Sequence, residues 1–261
     1  MNRRTALALA AAFLARPRTA LAGVNRHFKL RLISGERQGQ LWRAGVDIAL
    51  DKGWKTYWRM PGDAGVPPEF GWDRSVNIAD VKIYWPAPAR FVDTGGETVG
   101  YKNHVLFPLD VTLKDNAAPA KLVLDLVFAV CDDICMPAKA EAELAEGSAV
   151  DAAIIADYMA KVPKPVDGAS PFRVESARLA TDEEKPDLEL MLSGSGYEGD
   201  LDIFVEGADF AYFRAPRFGS MPNSCRLQID GLKEPERLKN RPLTLTMVAG
   251  DIRLEQRITV G

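Results

Sequence analysis

Histidine is almost missing from this 261-residue chain: His27 and His104 are the only two, beside three cysteines. That scarcity leaves little material for a histidine-based triad or an imidazole-rich metal centre. An excess of positive charge is also missing, since 33 basic residues face 36 acidic ones. Nucleic acid and anionic membrane surfaces are therefore poor partners. Beyond the first residues, no uncharged apolar run approaches the roughly 20 residues of a membrane span. A phosphate loop is lacking as well. Ser193-Gly194-Ser195-Gly196 is glycine-rich but has neither the Lys-Ser/Thr ending nor a following helix. No repeat of the solenoid or propeller kind is visible.

What is present begins with an export signal over residues 1–22. Arg3-Arg4 gives the basic start, Ala6 to Ala15 the apolar run, and Ala20-Leu21-Ala22 a small-x-small cleavage site. The apolar run is too short to anchor the chain, and Arg3-Arg4 also resembles a twin-arginine signal. Cleavage removes four arginines and no acid, taking the net charge from −3 to −7. The expected location is the periplasm, an oxidising compartment in which disulfides persist.

The rest alternates with period two. Leu122, Leu124, Leu126, Phe128 and Val130 form one apolar set, and Val105, Phe107, Leu109, Val111 and Leu113 another. Further on, Leu188-Leu190-Leu192, Leu201-Ile203-Val205 and Leu243-Leu245-Met247 repeat the pattern. Strands with one buried face read this way. A helix is expected over Ala149 to Lys161, capped by Ser148, with an apolar stripe through Ile154, Ile155, Tyr158 and Met159. A Pro-rich stretch, Val162 to Pro171, follows it. The expected fold is mainly β: two immunoglobulin-like antiparallel β-sandwich domains, 23–147 and 171–261, joined by a short helix and linker over 148–170.

The candidate chemistry lies in Cys131-Asp132-Asp133-Ile134-Cys135-Met136-Pro137. Four steps of extended strand cover about 13 Å, too far for a disulfide, so the chain must bend if the two cysteines are to join. Asp132 and Asp133 favour such a bend. The loop so closed is short, and cross-linking it removes little unfolded-chain entropy. The pair therefore suits a bond that is made and broken, or a metal site, better than a staple. Cys225, alone among strands, reads as a small buried hydrophobe.

A second informative stretch is Gly53-Trp54-Lys55-Thr56-Tyr57-Trp58-Arg59-Met60-Pro61-Gly62, continuing to Pro68. Its aromatics are core material on the simplest reading, and on a functional one a platform screening a reactive sulfur.

Taken together, Gly53 to Pro68, Trp85-Pro86-Ala87-Pro88, Gly100-Tyr101, Val105 to Leu109 and the Cys131/Cys135-Met136-Pro137 strand end resemble the N-terminal periplasmic domain of the thiol:disulfide interchange protein DsbD and its relatives. The resemblance covers about Val24 to Leu144. It implies an immunoglobulin-like fold and a redox couple of Cys131 and Cys135, with no cofactor. It also implies partners: a membrane-embedded DsbD- or CcdA-like thiol reductase as donor and thioredoxin-like periplasmic proteins as acceptors, in tasks such as cytochrome c maturation. The family's aromatic cap over its cysteines makes Phe91 and Tyr101 candidate cap residues in this chain. Asp132 and Asp133 are candidate modulators, because neighbouring negative charge disfavours a thiolate. The cysteines lie closer in sequence than in the best-known DsbD. The chain also shows no membrane segment or thioredoxin-like domain, so a stand-alone domain borrowing its electron donor is expected.

Two other readings compete. Cys-x-x-x-Cys-x-Pro is similar to the copper-delivering Sco proteins, and thiolates select Cu(I), with His104 as the candidate further ligand. Sco proteins are thioredoxin-like, which this rhythm of strands does not match. An adaptor with incidental cysteines is the third.

Overall fold

The computed structural model describes residues 27–62, 65–93, 96–181, 184–197, 200–208, 211–219 and 223–261. The export signal expected over 1–22 lies outside them. The first ten strands are β1 (Phe28–Gln38), β2 (Leu41–Leu50), β3 (Lys55–Gly62), β4 (Glu69–Gly71), β5 (Ile78–Ile83), β6 (Ala89–Asp93), β7 (Gly96–Lys102), β8 (His104–Leu113), β9 (Lys121–Cys131) and β10 (Cys135–Ala145). One sheet has the order β1-β2-β8-β5 and the other β10-β9-β3-β7-β6, all antiparallel. Strand β3 pairs with β9 only at Lys55 and Thr56. Beyond them β4 takes its place, pairing Glu69–Gly71 with Asp125–Val127.

The two sheets close over a shared core because their inner faces carry the alternating sets. All five residues from Leu122 to Val130 and all five from Val105 to Leu113 are buried in one cluster. Each such side chain contributes roughly 1.5–3 kcal/mol on removal from water.

The helix α1 (Ala152–Met159) is shorter than the apolar pattern suggests. Val150 bridges to Ser34, and the Asp151 N–H donates to the Ser34 carbonyl at 2.8 Å, so the first residues of the expected helix are held extended. Ser148 makes no cap; its hydroxyl donates back to the Ala145 carbonyl at 2.6 Å. The apolar stripe does its expected work, burying Ile155 against Ile33 and Leu106 on the outer face of the first sheet.

A second sandwich follows, made of β11 (Lys164–Pro165), β12 (Phe172–Ala180), β13 (Asp187–Gly194), β14 (Leu201–Glu206), β15 (Tyr212–Phe213), β16 (Arg217–Phe218), β17 (Ser224–Asp230), β18 (Pro242–Ala249) and β19 (Ile252–Thr259). Its sheets run β11-β19-β18-β14 and β12-β13-β17-β15, with β16 also on β17. The Pro-rich stretch thus starts as an edge strand, where a missing N–H costs no ladder bond. Cys225 lies in this core, and burial pushes its thiol pKa up to about 12.

The two sandwiches meet along β3, β6 and β7. Arg59 forks onto both carboxylate oxygens of Glu206, at 2.8 and 2.7 Å, and reaches Glu255 at 2.9 Å. Arg90, 7% exposed, binds Asp202, Glu97, the Tyr212 hydroxyl and the Ile203 carbonyl. Phe204 of β14 belongs to the core of the first sandwich, its ring edge-on to Trp58 with centroids 5.8 Å apart.

Candidate redox site

The sulfur pair sits at the tip of the β9–β10 hairpin. Cys131 and Cys135 are register partners flanking the three residues Asp132, Asp133 and Ile134. Directly opposed residues of an antiparallel pair project to the same face. The two are joined as a disulfide with Cα atoms 4.2 Å apart. The hairpin supplies the bend that the sequence requires. Access is unequal: Cys131 is fully buried, whereas Cys135 is exposed, as are Asp132, Asp133 and Ile134.

Beneath the pair lies Tyr57. Lys55 is the register partner of Cys131, and alternation puts Lys55 and Tyr57 on the sulfur face and Trp58 on the core face. Tyr57, Ala129 and Cys131 form a small buried cluster of their own. The Tyr57 hydroxyl lies 2.7 Å from Cys131 Sγ and 3.0 Å from Cys135 Sγ. Bonded sulfurs carry no proton, so the phenol donates.

Two glycines make room for this arrangement. A Cβ at Gly100, the register partner of Tyr57, would stand 2.0 Å from the Thr56 carbonyl oxygen. A Cβ at Gly65 would stand 2.7 Å from the Tyr57 ring. Backbone thus lies directly against both flanks of Tyr57.

Phe91, a candidate cap, lies 5.8 Å, centroid to Nζ, from Lys55, whose amine also donates to Thr98 Oγ1 at 3.2 Å. It therefore neighbours the site through Lys55. Tyr101 is not a cap: it is paired with Thr56, one position out of phase with Tyr57, so its ring turns into the sandwich and packs edge-on to Phe107. Its hydroxyl donates to the Pro86 carbonyl at 2.8 Å, and burial pushes its pKa well up. Gly53, with φ +93°, lies against the Asp132 carboxylate.

His104 is engaged elsewhere, between the buried Asp47 carboxylate and the Tyr158 hydroxyl. His27 stacks on Trp54 at 3.7 Å and pairs with Asp51. Among the described residues, no group of three or more His, Cys, Asp or Glu side chains is placed to hold a metal ion. The further ligand that the copper reading wanted, His104, is thus held by Asp47 and Tyr158 rather than beside the cysteines. Tyr57 and Lys55 are the site residues that sequence reasoning missed. Their signal was present in the alternation, which puts Tyr57 and Trp58 on opposite faces of β3 and lets only one aromatic face the sulfurs.

Residues 21–146 match the family described as thiol:disulfide interchange protein DsbD, N-terminal. Among solved structures, the N-terminal periplasmic domain of ScsB from Proteus mirabilis superposes with a TM-score of 0.72 at 20% identity, covering 91% of this chain and 94% of that one. The fold likeness thus extends over both sandwiches. No curated protein matches the chain. No helix among the described residues is long and apolar enough to cross a membrane.

Proposed function

We propose, from the premise that residues 21–146 belong to the family of DsbD N-terminal domains, that this chain is a periplasmic thiol-disulfide oxidoreductase working through Cys131 and Cys135. On this reading 23–147 is the redox domain and 171–261 a second domain, and residues 1–22 direct export. A membrane-embedded thiol reductase charges the pair, and oxidised thioredoxin-like proteins discharge it.

The observation that carries the reading is the asymmetry of the bonded pair, one sulfur residue exposed and the other buried on a hydrogen-bond donor. In the charging direction, a donor thiolate attacks Cys135 Sγ and forms a mixed disulfide. The Cys131–Cys135 bond breaks, and Cys131 leaves as a thiolate held by the Tyr57 hydroxyl. The donor's second thiol then attacks its own mixed-disulfide sulfur and releases the reduced pair. In the discharging direction, the Cys135 thiolate attacks the acceptor disulfide, and Cys131 resolves the mixed disulfide. Two electrons pass in each cycle, and the pair returns to its bonded form. Asp132 and Asp133, next to Cys131 and Cys135 in the hairpin tip, disfavour the dithiolate and favour the disulfide, which makes the reduced pair a reductant.

Trapping tests this assignment. A Cys131→Ser variant, produced in exported form, leaves Cys135 with no resolving partner and accumulates mixed disulfides with thioredoxin-like proteins. The Cys135→Ser variant, whose remaining thiol is buried, accumulates few. Equal capture by both variants, or by neither, contradicts the division into an attacking Cys135 and a resolving Cys131.

A further inference from the structure

Thiol exchange at the hairpin tip leaves the second sandwich without a task. We infer that it is a positioning element for the redox pair: through Arg59 and Phe204 it holds β3 where the Tyr57 hydroxyl contacts both sulfurs.

The link is the irregular course of β3. Between the pairs Tyr57↔Gly100 and Gly62↔Thr98, β3 spends four residues where β7 spends one. Across this bulge Trp58 stays in the core of the first sandwich, while Arg59 and Met60 reach the second. With no register pair to β7 across it, the bulge is held by side chains, and those of Trp58, Arg59 and Met60 meet the second sandwich. Trp58 meets Phe204 edge-on, and the Arg59 guanidinium lies 4.8 Å from the Trp58 ring while forking onto Glu206 and reaching Glu255. Met60 lines a narrow cleft with Phe204, Val205 and Tyr212.

The far end of the bulge is equally constrained. Gly62 has φ +90°, and a Cβ there would stand 2.5 Å from the Glu97 carbonyl oxygen. The chain then returns so that Gly65 lies against the Tyr57 ring. Tyr57 is thus the residue at which the bulge begins and against which the returning chain packs. Its hydroxyl reaches the sulfurs only as long as that frame is held. Arg59 and Phe204 touch neither sulfur, so they act through Tyr57.

This inference rests on the pair being reversibly reduced, and redox equilibration with glutathione tests both separately. Wild type, Arg59→Met, Glu206→Gln and Arg59→Lys are compared, each with Tyr57 intact and with Tyr57→Phe. Arg59→Met is expected to move the equilibrium toward the disulfide about threefold, the scale of part of one net hydrogen bond. Arg59→Lys keeps the charge without the fork and recovers part of the shift. In the Tyr57→Phe background the shift disappears, because contacting residues acting on one hydrogen bond are non-additive. Should Arg59→Met fail to fold, Glu206→Gln, which nearly preserves shape, carries the same expectation. An equilibrium constant unchanged by either variant, or shifted equally with and without the Tyr57 hydroxyl, overturns the inference. Wild-type protein that never equilibrates with glutathione overturns the proposed function instead, and the inference with it.

Discussion

Removing one oxygen atom from Tyr57 is the sharpest perturbation of the site. Tyr57→Phe keeps the buried ring against Ala129 and deletes the donor at 2.7 and 3.0 Å from the two sulfurs. In the oxidised protein the acceptors are neutral sulfurs, and the net worth of such a bond is about 0.5–1.5 kcal/mol at most. When Cys131 leaves as a thiolate, its charge develops in a site with no exposure. A hydrogen bond to a charged acceptor is then worth about 1.5–3 kcal/mol. The difference, about 1–1.5 kcal/mol, makes the Cys131 thiolate harder to form by about five- to thirteenfold. Only part of that charge exists in the transition state, so reduction by dithiothreitol should slow by about three- to fivefold. At a pH where the thiolate is populated, the pair should become more reducing by about 20–30 mV. Folding stability should fall by no more than about 1.5 kcal/mol, since the bonded sulfurs are left with no unmet need. The assay is alkylation and mass analysis of samples quenched during reduction, across a pH series. Identical rates and an identical potential in the two proteins would refute the role assigned to Tyr57.

Three further outcomes follow from the same structure. Gly100→Ala places a Cβ against the Thr56 carbonyl, which is backbone and cannot yield cheaply, so urea unfolding should show a loss of about 2–3 kcal/mol. Cys225, with its thiol pKa pushed up to about 12 by burial, should resist maleimide at pH 8 in folded protein and react fully once denatured. The buried Glu189 carboxyl is held below the usual carboxylate range by hydrogen bonds and charge from Arg178, helped by Arg226. Its stabilisation is therefore complete above the unfolded carboxylate's range, about pH 4.3, and is lost as pH falls through the lowered folded value. Glu189→Gln should cost most near pH 7 and progressively less below about pH 4 in a series of denaturant melts.

The sandwich architecture was legible because period-two alternation is a direct imprint of a half-buried sheet, and the sets from Leu122 and from Val105 became core as the pattern required. The helix start was less legible. Ser148 has the chemistry of a cap, but a bridge from Val150 to Ser34, distant in sequence, overrode that local preference. At the site, the bent hairpin followed from the spacing of two cysteines, whereas Tyr57 did not. Which aromatic of Trp54, Tyr57 and Trp58 faces the sulfurs depends on the register of β3 against β9, set by only two residue pairs. Tyr101 illustrates the same limit, since a one-position change of phase turned a candidate cap into core. The contacts of Arg59 and Arg90 with the second sandwich join residues far apart in the chain and leave no mark in local sequence.

The central claim, that Cys131 and Cys135 form a working two-electron couple, is tested most directly by mixing the reduced protein with an oxidised thioredoxin-like periplasmic domain and counting thiols on both by mass. The account predicts that two thiols disappear from Cys131 and Cys135, leaving Cys225 unchanged, while two appear on the acceptor. An acceptor that stays oxidised beside a fully reduced, folded pair would contradict it.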